Sequence, residues 1–547
     1  MGSVQASLTS LEGQLVDLHQ RRIYPARLTF AEGTIAAVDE LASAPSRYLM
    51  PGFIDAHVHV ESSMLTPAEF ARAAVVHGTV ATVSDPHEIG NVLGVPGVKF
   101  MLDEGEQVPL KFCFGAPSCV PATCFETAGA QLDAAAIAEL LRDDRIGYLS
   151  EMMNYPGVLH DDPEVLAKIA AAKQLGKPVD GHAPGLRGAD AARYIAAGIT
   201  TDHECTTLAE AMDKLENGCR ILIREGSAAK NYEALKSLLQ THPDRCMLCT
   251  DDNHPDDLQE GHIDRLVQRA VGDGADRLQA LRASSLNVID HYRLPVGTLR
   301  VGDPADFIVV DDLESFRVRQ TYIDGVKVAE EGQPLFEPVG TETPNRFGCH
   351  AKQPSDFGLA ASSDQALAME ALDGELITNR VPVSVRVDEG WVRTDPERDL
   401  LKITVVNRYQ DAPPAMALIR GFGITRGAIA SSVAHDSHNI VAVGVNDESI
   451  CAVVNEVISH KGGLAVTDGQ RMDAIKLPVA GLMCRRSCRD VGQDYARLSA
   501  LAREMGSPLT APLMTLSFMA LPVIPSLKLT DRGLFDVDRF AFASPLV

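Results

Sequence analysis

The chain has 547 residues, too many for one ordinary domain, and carries a formal net charge of -24, from 50 Lys+Arg against 74 Asp+Glu. Such a surplus of acid repels phosphate backbones and anionic lipid, which excludes nucleic acid and membrane surfaces as partners and favours a small neutral or cationic substrate. Its 11 cysteines follow no small-scaffold spacing, and the start, MGSVQASLTSLEGQ, lacks the basic and apolar pattern of a secretion signal; reduced thiols and a cytoplasmic protein are expected.

In chain order, residues 1–50 read as short strands broken by turns (GQLVDLHQRRIYPARLTFAEGTIAAVDE). The same texture returns within 299–340 (DPADFIVVDDLESFRVRQTYIDGVKVAEEG), so the two flanks predict one small β-sandwich domain built from both. Between them, over 51–298, apolar runs alternate with amphipathic helical stretches. The runs are FIDAHVHV, GTVATVSDPHE, LKFCFGAPS, IGYLSEMMN, KPVDGHAPG, GITTDHE, CRILIREGS and RCMLCTDD. Strand–helix alternation of this length predicts parallel βαβ units closing into an α/β fold of the TIM-like (β/α)8 barrel type. An open doubly wound sheet would require a Gly-rich phosphate loop after its first strand, and none is present.

After the linker-like GQPLFEPVGTETPNR, residues 341–547 predict an additional C-terminal α/β domain. Its uncharged stretch Leu509–Leu527 is broken by Pro512, Pro522 and Pro525, and Thr515 and Ser517 alternate with Leu516 and Phe518. Buried strands and turns are expected there, not a membrane span.

A barrel of this type builds its active site at the C-terminal ends of its strands. His57 and His59 close the first run, Asp85 and His87 the second, Ser118 the third and Glu151 the fourth; His182, His203, Arg224 and Asp251 close the last four. A single strand histidine is usually a packed core residue, but positions i and i+2 share a face, so His57 and His59 offer two imidazoles side by side. Joined by His182, His203, Glu151 and Asp251, they predict a divalent metal site. Four imidazoles and two acids exceed what one catalytic ion needs, so two ions are expected, with Glu151 bridging them. Cys246 and Cys249 superficially match the cysteine pair of small zinc deaminases; Met247 and Leu248 between them mark strand residues instead.

The strings HVHVESSMLTP, SDPHEIGNVLG, SEMMNYPGV, DGHAPGL, AHDSHNIVAVG and LPVIPSLKLT resemble the bacterial adenine deaminases of the amidohydrolase superfamily, and the resemblance runs over nearly the whole chain. It implies hydrolysis of adenine to hypoxanthine and ammonia with manganese or iron. His57 and His59 would bind the first ion, Glu151 would bridge, His182 and His203 would bind the second, and Asp251 would touch the first ion and handle the proton. His435, Asp436 and His438 fall in a family-specific C-terminal domain expected to close over the barrel mouth. Cys205, and Asn253-His254 after Asp251-Asp252, depart from the family pattern.

Protonation of the purine ring and the departing amine needs a nearby acid, with Glu88, Glu204 and His87 as candidates. Asp85, Ser118, Arg224, His435, Asp436 and His438 are candidate substrate contacts. The runner-up function is a relative acting on a cyclic amide or a different 6-substituted purine; a metal-free scaffold would have no reason to keep the full ligand set. Apolar surface on the C-terminal unit predicts a homodimer.

Overall fold

The computed structural model describes residues 8–227 and 229–546. The eight apolar runs form β1 (Phe53–Val58), β2 (Thr79–Ser84), β3 (Lys111–Ala116), β4 (Ile146–Met152), β5 (Val179–Gly181), β6 (Thr201–Asp202), β7 (Arg220–Arg224) and β8 (Cys246–Cys249). Continuous apolar sequence suits strands covered on both faces, and every residue of β1 and β2 is buried. Strands β1–β5 pair in parallel as one arc and β6–β8 as another. Backbone hydrogen bonds join the arcs. Thr200 N donates to Val179 O at 2.8 Å, while Asp251 N donates to His57 O at 2.8 Å and His59 N to Asp251 O at 3.3 Å. The parallel sheet is thereby curled shut into the expected α/β barrel, with its helices outside.

Strands from both ends of the barrel segment share one eight-stranded sheet. The seam is Tyr48–Pro51, antiparallel to Phe307–Val310. This sheet bends over itself: Phe30 lies 5.3 Å from Phe307 and 5.7 Å from Tyr322 between ring centroids, with Leu15, Leu28 and Leu49 filling the gap. Its two layers thus enclose an apolar core, as in a sandwich.

The chain beyond 360 forms a second eight-stranded sheet, antiparallel except where Gln365–Ala371 meets Ala415–Arg420. Several contacts lock it onto the barrel, two of them by helix packing and by aromatic rings. First, helix α1 (Pro255–Glu260), just after β8, packs on helix α2 (Cys488–Glu504), where a Cβ on Gly492 would lie 3.0 Å from the Pro255 carbonyl. Second, Phe125 in the loop after β3 sits against Phe535 at 4.6 Å, Phe540 at 5.0 Å and Phe542 at 5.8 Å. Around that ring, Arg532 Nη1 donates to Cys124 O at 2.7 Å and Thr530 Oγ1 to Phe125 O at 3.0 Å. Aromatic packing with satisfied loop carbonyls makes a fixed joint.

The stretch expected to hold only buried strands and turns contains a helix. Within Leu509–Leu527 the segment Pro512–Ser517 is helical, and a strand begins only at Leu527. Pro512 occupies the first helical turn, where its missing N–H costs nothing, and the short polar–apolar alternation misled. Among the described residues no helix is long and apolar enough to cross a membrane. All 11 cysteines are free thiols, with Cys246 and Cys249 buried in β8.

Candidate active site

Because β1 alternates faces, His57 and His59 both turn into the barrel rim, their rings 4.9 Å apart. The His57 ring also stacks on His203, from the end of β6, at 4.2 Å. Glu151, on β4, stands among them: Oε1 lies 3.5 Å from His59 Nε2, and Oε2 lies 2.6 Å from His182 Nδ1 and 3.2 Å from His203 Nε2. Asp251 Oδ1 lies 3.1 Å from His59 Nε2 and 3.5 Å from His57 Nε2. Asp251 holds φ 61, a left-handed backbone that Asp adopts more readily than most residues. All six expected ligands meet at one rim.

Outer contacts orient these groups. The Asp85 carbonyl lies 3.2 Å from His59 Nδ1 and accepts its hydrogen, leaving Nε2 free to face the carboxylates. Ser118 Oγ donates to the Glu151 carbonyl at 2.5 Å. Arg224 forks onto Glu204 at 2.6 and 2.9 Å and also reaches Asp251 Oδ2 at 2.5 Å. Burial pushes the Asp251 and Glu204 carboxyls up, yet Arg224 and the neighbouring histidines hold both well below the usual range.

This constellation fits divalent cations. Both ring nitrogens of His57 are buried without a hydrogen-bond partner, a costly state unless something else is bound. Ligand atoms of His57, His59 and Asp251 lie within 4.8 Å of one another, as do those of His57, Glu151 and His203. Imidazole nitrogen mixed with carboxylate oxygen is a donor set that first-row divalent metals accept.

The last unit enters the same mouth through His435–His438. Glu88, in the first turn after β2, places Oε1 2.6 Å from His435 Nδ1, and its other oxygen contacts His438 Nε2. Asp436 Oδ1 lies 3.9 Å from His87 Nε2. Burial favours a neutral Glu88, but His435, His438 and His87 hold it well below the carboxylate range. Burial likewise opposes charge on His435, and Glu88 with Asp252 overcomes it, raising the imidazole to about 9.

A cavity of about 1920 Å³ opens above the rim, bordered by His59, Glu151, His203 and Asp251 below and by Met514, Phe518 and Pro522 of the last unit. Of the expected substrate contacts, Arg224, His435 and Asp436 border it. Asp85, Ser118 and His438 stand behind the wall, engaged with His87, Glu151 and Glu88 respectively. Cys205 and His254 are also buried, with His254 packed 4.9 Å from the Tyr495 ring.

Two buried acids, Glu126 and Glu61, are not among the expected site residues. Glu126 borders the cavity, where burial and then Asp436 push it up to about 8. Glu61 accepts from Ile89 N at 3.1 Å and is raised to about 7 by burial and then Glu88. The signal for Glu126 was an acid alone in the neutral loop PSCVPATCFETAGAQL; for Glu61, its place one residue after Val60 in HVHVE.

A closed parallel barrel with buried imidazoles and acids at its C-terminal rim defines a metal-dependent hydrolase. Residues 48–328 match the family model described as the Amidohydrolase family, and residues 375–541 match the Adenine deaminase C-terminal domain. A curated adenine deaminase of Salinibacter ruber is 54% identical, over 98% of this chain and 99% of its own. One from a Sulfurovum species is 52% identical over 97% and 98%, and one from Methanosarcina mazei 48% over 97% and 98%. The chain belongs to the amidohydrolase family and, over nearly its whole length, to the adenine deaminases within it.

Proposed function

We propose that the protein hydrolyses adenine at C6, giving hypoxanthine and ammonia, with two divalent ions, manganese or iron, at the barrel rim. The observation that carries this reading is Glu151, which offers one oxygen to His59 and the other to His182 and His203. His57, His59 and Asp251 would hold one ion, His182 and His203 the other, and Glu151 would be shared. Bound there, divalent ions would lower the pKa of water toward neutrality and so provide hydroxide.

Asp251, kept ionised by Arg224, accepts the proton released as water attacks. Negative charge then builds on the ring at N1, and the departing amine needs a proton. Glu204 is committed to the Arg224 fork and serves to orient. Glu88 is an anion between imidazoles, so the cluster of His87, Glu88 and His435 supplies the proton, with Glu88 as its counter-ion. Asp436, beside His87 on the cavity wall, faces the base. Loss of metal and of ammonia release on treating the protein with a chelator, and recovery on adding Mn²⁺, would test the reading; ammonia release untouched by metal removal would end it.

One observation favours a wider substrate range. A cavity of about 1920 Å³ exceeds the several hundred Å³ usual for a small ligand. Bulkier 6-substituted purines are therefore accepted alongside adenine, which parallel assays would reveal. We also read the protein as a homodimer, supported by exposed Trp391 and Phe540 on the last unit; its mass in solution decides this.

A further inference from the structure

Lys528 lies in the strand Leu527–Thr530 of the last unit and is fully buried. Its Nζ donates to two backbone carbonyls, Leu376 at 2.7 Å and Phe518 at 3.0 Å, and among the described residues no carboxylate is paired with it. Burial alone pushes the amine down to about 7. A neutral amine keeps two N–H donors, the number that two carbonyls take. An ammonium stripped of water and counter-charge is costly to retain for a bond that two waters could make.

Both carbonyls belong to segments bordering the catalytic cavity. The 511–526 segment has no charged side chain to hold it, so backbone bonds and packing must fix its place. Phe518 stacks its ring on the His435 imidazole, centroids 4.4 Å apart and planes 10° from parallel. The neighbouring Ser517 carbonyl accepts from His435 N at 3.0 Å. His435 in turn meets Glu88 at 2.6 Å. An unbroken line of contacts therefore runs from a lysine deep in the last unit to the acid cluster of the barrel.

We propose that Lys528 is a positioning residue for the reaction: by clamping the Phe518 and Leu376 carbonyls, it fixes the His435 imidazole against Glu88 at the cavity wall. This rests on the reading of the His87–Glu88–His435 cluster as the proton source. The backbone of Lys528 is anchored by β-pairing opposite Phe535 and its side chain is buried, which lets Nζ hold two separate segments in register as mobile waters cannot. A role confined to filling the core would leave His435 untouched by changes at Lys528.

The test uses the full chain loaded with Zn²⁺ or Mn²⁺. Lys528→Met keeps the stem and removes the donors. Its kcat for adenine should fall about tenfold, with KM and metal content nearly unchanged and the high-pH limb of the rate profile lowered by about one unit. Phe518→Leu should give the same signature, and the double variant should lose no more than the worse single one. Independently of turnover, histidine-selective NMR of the Zn²⁺ form, with His435→Asn assigning the signal, should show the His435 titration moved to lower pH in both single variants. A folded variant with an unmoved His435 titration overturns the proposal, as do losses that multiply in the double variant. If Lys528→Met does not fold, Lys528→Gln, whose shorter amide reaches at most one of the two carbonyls, takes its place and is judged by the same His435 titration. A wild-type chain that releases no ammonia from adenine refutes the assigned reaction, whereas the NMR titration still judges the clamp.

Discussion

Glu88 and His435 are 347 positions apart in sequence and meet at 2.6 Å inside the barrel mouth. Burial opposes the His435 charge, but Glu88, with Asp252 behind it, raises the imidazole from its ordinary 6.5 to about 9. For a base raised on folding, the stabilisation is fully present below 6.5 and is lost as pH rises through about 9. Catalysis that needs this proton should follow the same limb. Glu88→Gln removes the counter-charge, so the fall in kcat/KM should move from about pH 9 toward 6.5. A rate profile that kept its high-pH limb would separate His435 from the reaction.

Glu151→Gln preserves shape and removes the charge facing three imidazoles. Metal content and ammonia release should drop together, by more than the roughly 10- to 100-fold lost when only an outer partner of a ligand is removed. Elemental analysis of the purified variant is the check, and two retained ions with full turnover would count against a shared carboxylate.

Asp251→Asn keeps the backbone, since Asn also tolerates the left-handed conformation at φ 61, and metal content measured on the same sample separates loss of the proton acceptor from loss of an ion. Adenine binding should survive, while turnover falls by about 10²- to 10⁴-fold, the usual range for loss of a positioned proton acceptor. Calorimetry and steady-state rates on the same sample decide it; undiminished turnover would remove Asp251 from proton transfer.

Phe125→Ala tests the joint between barrel and last unit. The half-buried ring loses three aromatic neighbours, so thermal unfolding should shift by an amount equivalent to about 1–3 kcal/mol, below the cost of a fully buried phenylalanine. Activity should fall in parallel, since His435 is delivered by the same unit. An unshifted Tm would mean that the aromatic contact adds nothing.

The barrel was legible because both-face burial turns each strand into an uninterrupted apolar run, and the polar residue closing each run marks the rim. FIDAHVHV needed only the two-residue strand period to put His57 and His59 together. What escaped depended on distant pairing. No local pattern says that Phe125 docks against Phe535, or that a lysine in LKLT reaches the Phe518 carbonyl. The helix at Pro512 was hidden because six residues are too few to separate a period of two from one of 3.6. Ser118 looked like a substrate contact because it ends a strand, but its hydroxyl is spent on the Glu151 carbonyl.

On the proposed function, imidazoles and acids from five strands create a two-ion hydrolytic centre for adenine. Metal-stripped protein should be titrated with Mn²⁺ while ammonia released from adenine is measured. No release without metal and a rise that levels off at two ions per chain are expected; full release from the stripped protein, or a plateau at one ion, would contradict a two-ion centre.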